Sequence, residues 1–242
     1  MPDLSDRDAL VCIYEYTRGA DRWRLSDYWL TERPCSKWYG VKINEGAHVV
    51  ELLLPDNRLD GFFFENTRLS SLCYLKVLSL DQNLIRGTIP KSFGYFVAME
   101  ELNLAWNLFT GEIPDEIFEM RRLRVLRLDN NQLTGPLSAA LGNLSNLKFL
   151  SLHNNQLSGE VPKVGSKLSV LMCCQLIPGN TRFTGFVPSD ALEMRRNNPP
   201  EVHRAPSREA RSTSPPSRGG HERGGHMAGE GRQQHCRSVG RR

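Results

Sequence analysis

Apolar residues recur in one fixed arrangement through the middle of the chain. Four segments carry it in register: LKVLSLDQNLIRGTIP (75–90), MEELNLAWNLFTGEIP (99–114), LRVLRLDNNQLTGPLS (123–138) and LKFLSLHNNQLSGEVP (147–162). Alternation within each L-x-L puts Leu78 and Leu80, Leu102 and Leu104, Leu126 and Leu128, and Leu150 and Leu152 on one side of a short strand, with the intervening residues on the other. An asparagine follows each pair, at Asn57, Asn83, Asn107, Asn131, Asn155 and Asn180, with spacings of 26, 24, 24, 24 and 25 residues. A glycine comes soon after, at Gly61, Gly87, Gly111, Gly135, Gly159 and Gly185.

A single unit of this kind has nothing to cover its leucines, whereas stacked units cover one another. The pattern therefore predicts an α/β solenoid of six repeats over 47–194, with short parallel strands along one face. After each strand the chain turns inward and leaves backbone groups away from water. An asparagine amide offers both a donor and an acceptor to them, and an unsatisfied buried group costs roughly 1–3 kcal/mol. The asparagine column is expected to be a ladder of backbone ties. The glycines mark a bend that needs positive φ or a close backbone approach. Pro90, Pro114, Pro162 and Pro188 then restrict the far side of the repeat.

These residues resemble the plant-type leucine-rich repeat, with its 24-residue unit LxxLxLxxNxLxGxIPxxLGxL. The resemblance extends upstream into 1–46, where the family carries a helical cap, tryptophans and a W-x-G-V motif. Here SDRDALVCIYEYTRG (5–19) reads as the helix, with Ser5 and Asp8 as a capping pair, Leu10, Ile13, Tyr14 and Thr17 on one face, and Gly19 as the stop. Trp23, Trp29 and CSKWYGV (35–41) complete the match. The resemblance implies a right-handed solenoid whose concave strand face binds a protein or peptide, as in the recognition domains of receptor-like proteins. Two departures stand out. Ile43 occupies the place of a paired cysteine in the cap of secreted members, and the first repeat reads GFFFEN where GxIP is expected. Phe62, Phe63 and Phe64 either fill the junction between cap and solenoid or form a sticky surface; filling is the expectation.

Composition changes the picture only at the end of the chain. Residues 195–242 contain no aromatic residue, eleven arginines, no lysine and four glutamates, so this segment carries +7 while the rest carries −3 of the net +4. It cannot bury enough apolar surface to offset chain entropy and is expected to be disordered. Its arginine-glycine-glycine triplets make RNA scaffolding the alternative function; a misjoined reading frame would give a similar mixture. The six cysteines are scattered with no C-x-x-C pair, which favours reduced thiols. The opening residues lack a signal-peptide pattern and no window approaches a membrane span, so the expected location is intracellular and cytoplasmic, or secreted if a leader lies upstream.

No nucleophile, phosphate-loop, kinase or zinc signature appears, and neither enzyme activity nor a cofactor or metal is expected. The run Asp129-Asn130-Asn131 lacks the internal glycine and terminal glutamate of a calcium loop. Function is instead expected on the strand face of a monomer. The candidate partner-binding residues are Asn103, Trp106, Arg127, Asp129, Asn130, Ser151, His153 and Asn154. Trp106 stands out as a large aromatic in an outward position beside an arginine and asparagines. Because the tail contributes nothing to the predicted core, deleting 195–242 should leave the thermal midpoint unchanged in a circular-dichroism melt; a lower midpoint would show that the tail packs on the solenoid.

Overall fold

The computed structural model describes residues 5–62, 67–164, 167–176 and 179–184. The expectations for Phe63, Phe64, Gly185, Pro188 and 195–242 fall outside them. Packing divides the chain into Met1–Pro206 and Ser207–Arg242, and every described residue belongs to the first unit.

Helix α1 (Asp6–Tyr16) starts at Ser5, whose hydroxyl accepts from the Asp8 amide while the Asp8 carboxylate accepts from the Ser5 amide, closing a capping box. Its end differs from the sequence expectation. Thr17 is the C-cap and Arg18 takes the left-handed conformation, with φ 54, while Gly19 opens the single-turn helix α2 (Gly19–Arg22). Gly19 is required for another reason: a Cβ there would collide with the Tyr14 ring. Behind α1, Tyr14, Trp23, Trp29 and Trp38 pack ring against ring with centroids 4.7–5.6 Å apart. Their indole N–H groups donate to the carbonyls of Thr17, Tyr39 and Arg33, so no buried donor is stranded.

Strand β1 (Val41–Ile43) pairs antiparallel with β2 (Val49–Leu53), and from there the sheet runs parallel through β4 (Val77–Ser79), β6 (Glu101–Asn103), β8 (Val125–Arg127), β10 (Phe149–Ser151) and β12 (Cys173–Gln175). The register is in phase: Leu78 opposes Leu102, Leu102 opposes Leu126, Leu126 opposes Leu150, and Leu150 opposes Cys174. Cys174 thus fills a leucine place in the last repeat.

A second parallel sheet of six strands, absent from the sequence expectation, lines the opposite side: β3 (Asp60–Phe62), β5 (Leu84–Thr88), β7 (Leu108–Gly111), β9 (Gln132–Pro136), β11 (Gln156–Glu160) and β13 (Arg182–Thr184). The segment N-x-L-x-G-x-I itself alternates. Asn83, Ile85 and Ile89 are buried while Leu84, Arg86 and Thr88 are exposed. Gly87, Gly111, Gly135 and Gly159 end these strands at φ 74–84, a region that costs other residues roughly 1–2 kcal/mol. Gly61 serves by close approach instead, since a Cβ there would strike the Tyr16 carbonyl. Short 3₁₀ turns such as Lys91–Tyr95 and Asp115–Glu119 close the third side, entered through Pro90 and Pro114 with φ near the proline value. Where proline is absent, Ser138 caps the turn by accepting from the Ala140 amide at 3.1 Å.

Between the sheets the asparagines make the contacts that set repeat spacing. Asn107 Oδ1 accepts from the Ile85 amide at 3.0 Å, and its Nδ2 donates to Leu80 at 2.8 Å and Leu104 at 3.2 Å. Asn83, Asn131, Asn155 and Asn180 repeat this arrangement. Asn57 extends it into the cap, accepting from the Leu25 amide at 2.6 Å and donating to the Leu25 carbonyl at 2.8 Å. Asn107→Ala should destabilise by roughly 1–3 kcal/mol, because several buried backbone groups lose their partner at once. Urea unfolding of the purified variant measures it, and an unshifted midpoint would contradict the ladder's energetic role.

Candidate interaction surface

The outward side of the first sheet forms four columns, each made of residues one repeat apart. Glu51, Val77, Glu101, Val125, Phe149 and Cys173 make the first, and Leu53, Ser79, Asn103, Arg127, Ser151 and Gln175 the second. Strands lie about 4.8 Å apart, so small side chains in one column cover each other. This corrects the expectation of open positions at Asn103 and Ser151, which are only 2% and 1% exposed. Asn103 Nδ2 reaches Ser79 Oγ at 3.4 Å and Ser151 Oγ donates to Gln175 Oε1 at 3.2 Å. Asp129 is buried as well.

Arg127 folds back along the face. Its guanidinium lies 4.5 Å from the Phe149 ring centroid, over the separate apolar cluster of Val125, Phe149 and Cys173. Its Nε and Nη2 are buried without hydrogen-bond partners among the described residues.

Asp129, Asn130, Ser151, His153 and Asn154 come together in one network. Asn154 Nδ2 donates to Asn130 Oδ1 at 2.9 Å, and Asn130 Nδ2 donates to Asp129 Oδ2 at 2.8 Å. His153 Nδ1 lies 2.9 Å from Ser151 Oγ, and its Nε2 lies 3.9 Å from Asp129 Oδ2. A serine, a histidine and an aspartate in contact invite comparison with a hydrolase. Here the serine is 1% exposed and its hydroxyl is hydrogen-bonded to both His153 Nδ1 and Gln175 Oε1, so the group ties neighbouring strands together and is covered from an incoming substrate.

The column one place before the ladder asparagines, Asp56, Gln82, Trp106, Asn130, Asn154 and Gly179, is left-handed throughout, at φ 44–58 in the first five and 100 at the glycine. Asparagine and aspartate tolerate this left-handed conformation, while for a bulky residue it is an outlier. Trp106 nevertheless holds it and leaves its indole 60% exposed.

Sequence reading missed the residues just before each strand. Lys76, Glu100 and Arg124 recur at the repeat spacing and, with Val50, Glu51 and Val77, line an open groove of about 390 Å³ along the edge where the strands begin, from Asn44 of the cap to Val125. Arg124 pairs with Glu100 at 3.3 Å and Lys42 with Glu51 at 2.6 Å. Three successive charged residues at a 24-residue period were the available signal.

With this geometry in place, comparison with known proteins is informative. The leucine-rich repeat family models match 74–96, 98–120 and 110–163. A probable leucine-rich repeat receptor-like protein kinase of Arabidopsis thaliana is 39% identical over 66 residues, which cover 26% of this chain and 6% of that protein. The ectodomain of the Arabidopsis thaliana receptor kinase SOBIR1 superposes with a TM-score of 0.62 at 28% identity, covering 77% of this chain and 98% of that one. The Arabidopsis receptor kinase HAESA, solved with a peptide hormone and a co-receptor, gives 0.63 at 26% identity over 74% of this chain and 30% of that one.

The molecule is a capped leucine-rich repeat solenoid. Its repeats are similar in sequence to those of a plant leucine-rich repeat receptor-like kinase, and its fold is similar to that of a receptor kinase ectodomain. Among the described residues no helix is long and apolar enough to cross a membrane. The intracellular location expected from the sequence finds no support among these proteins.

Cys35, Cys73, Cys173 and Cys174 are free thiols. Burial, with a smaller contribution from the Cys173 thiol, pushes Cys174 up from 9.0 to about 12. A thiol raised in the fold contributes stability that is fully present below its unfolded value and is lost as pH rises towards its folded one. Stability should therefore fall between pH 9.0 and about 12. Denaturant midpoints across that range should show a shallower fall in Cys174→Ala, and equal slopes would rule out this thiol as the cause.

Proposed function

We propose that the chain binds a peptide, or a narrow projecting element of a protein, along the first sheet, with Trp106 as the anchor. Trp106 carries the reading. A tryptophan held in a conformation that favours asparagine, with more than half of its surface left in water, costs the scaffold stability and returns little buried area for its size. That combination is expected where a side chain serves a partner, and tryptophan is among the residues that dominate binding energy.

Beside Trp106 in register stand Gln82 and Asn130, so amide donors and acceptors flank the ring and are suited to a peptide backbone. The groove at Lys76 and Arg124 extends the surface towards the cap with charge of both signs, which favours selectivity over raw affinity. The covered Asn103, Ser151 and Asp129 support this face from beneath; Asn130, His153 and Asn154 remain at its edge.

The peptide hormone in the HAESA structure supports the same class of ligand here. The ectodomain relatives also favour an extracellular setting. The whole activity of a receptor kinase is not carried over, since this chain matches only 6% of the kinase relative. The RNA alternative rests on 195–242 alone, which lies outside the described residues.

Trp106→Asn tests the reading because stability and binding should move in opposite directions. Relief of the left-handed strain should raise stability by roughly 1 kcal/mol. Peptides selected from a displayed random library on the full chain should lose about tenfold or more in affinity, ~1.4 kcal/mol. Unchanged affinity for every selected peptide, measured by calorimetry, would remove Trp106 from the site.

A further inference from the structure

The cap end of the second sheet holds more positive charge than its own carboxylate neutralises. Asp60 and Phe62 occupy alternate positions of β3, and the register sets Leu84 opposite Asp60 and Arg86 opposite Phe62. All four side chains stand on the outer surface of that sheet. Asp60 is nonetheless buried, because guanidinium groups close over it. Arg86 Nη2 donates to its Oδ1 at 3.0 Å, while Arg22 Nη2 lies 3.5 Å and Arg18 Nη1 3.8 Å from Oδ2.

One carboxylate offsets one of three charges, and each of the three arginine side chains remains about half exposed. Among the described residues no other carboxylate comes within ion-pair distance of them; the nearby Arg24 is already engaged by Asp56 at 2.8 Å. Arg18 reaches the cluster only by adopting its left-handed conformation, and its side chain caps no helix. A surplus of two charges is more than the burial of Asp60 requires.

Apolar side chains adjoin the surplus. Phe62 is 46% exposed, so this member of the Phe62–Phe64 run does not wholly fill the junction, and Leu84 on the paired strand is 46% exposed as well. Phe62 and Leu84 adjoin diagonally on the paired strands β3 and β5. Isolated exposed apolar residues mean little, but aromatic side chains set among arginines have the composition of a protein interface.

We propose that this corner is a second docking surface, separate from the Trp106 face, for an acidic protein segment. Carboxylates of the partner take the two surplus arginine charges, and an apolar side chain lies across Phe62 and Leu84. A small oxyanion would satisfy the arginines and leave the apolar residues wet.

The test uses the same displayed library on the full chain, with clones sorted against three variants. A class enriched in Asp and Glu together with an aromatic or aliphatic residue should survive Trp106→Asn. It should lose about tenfold or more in affinity, ~1.4 kcal/mol, with Arg22→Gln/Arg86→Gln and with Phe62→Ser/Leu84→Ser. Its binding should also weaken steeply with salt. The apolar variant leaves the ion cluster intact, so it remains informative if the arginine variant unfolds. The proposal is overturned if no acidic class is enriched, or if such clones bind both double variants as tightly as the parent. Two further results would also overturn it. Displacement of the clones by inorganic phosphate at matched ionic strength, with no effect of Phe62→Ser/Leu84→Ser, would assign the site to a free oxyanion. A dimer in sedimentation that Arg22→Gln/Arg86→Gln abolishes would assign it to a second copy of the chain.

Discussion

Every repeat must turn its backbone inward after a strand of three residues or so, and the groups left at that turn have neither water nor a strand partner. The asparagine amide resolves this constraint, and the rest of the molecule depends on the solution. Because Asn107 joins Leu80 and Ile85 of one repeat to Leu104 of the next, it sets the distance and phase between them. The in-phase leucines of the first sheet and the alternating strands of the second follow from that fixed phase. The packed interior between them, Leu78, Leu80, Ile85 and Phe93 among others, is the apolar consequence of a polar tie.

The same regularity explains where binding capacity can reside. Side chains inside the columns of the first sheet are pressed against their neighbours one repeat away, and small polar ones such as Ser79, Asn103 and Ser151 are consumed in cross-strand hydrogen bonds. Free surface survives at the margins: at the left-handed turn that carries Trp106, and just ahead of the strands where Lys76 and Arg124 project. Recognition on such a scaffold is a property of its edges.

Much of this was legible because the period is so strict. Six asparagines at nearly constant spacing identify the turn, and L-x-L identifies the strand that precedes it. The second sheet was harder to see, since its strands are short, carry glycine and have polar residues facing outward, so that each copy alone resembles a loop. The left-handed column was half visible: Asp56, Asn130 and Asn154 suit that conformation, but Gln82 and Trp106 do not announce it. Burial of Asn103 and Ser151 depended on inter-strand spacing, which no single repeat encodes. The arginine cluster was invisible for a different reason. Residues 18, 22, 60 and 86 meet only because the cap folds back over the first repeat.

The ladder also has a direction. Asn83 serves Leu54 and Leu59, Asn107 serves Leu80 and Ile85, and Asn180 serves Leu152 and Leu157, so each repeat is completed by the one that follows it in sequence. A chain emerging from the ribosome therefore always carries one repeat whose inward turn lacks its amide. Folding during synthesis trails translation by a repeat, and the newest leucines wait uncovered for about two dozen more residues to appear, a stretch in which chaperones have something to hold.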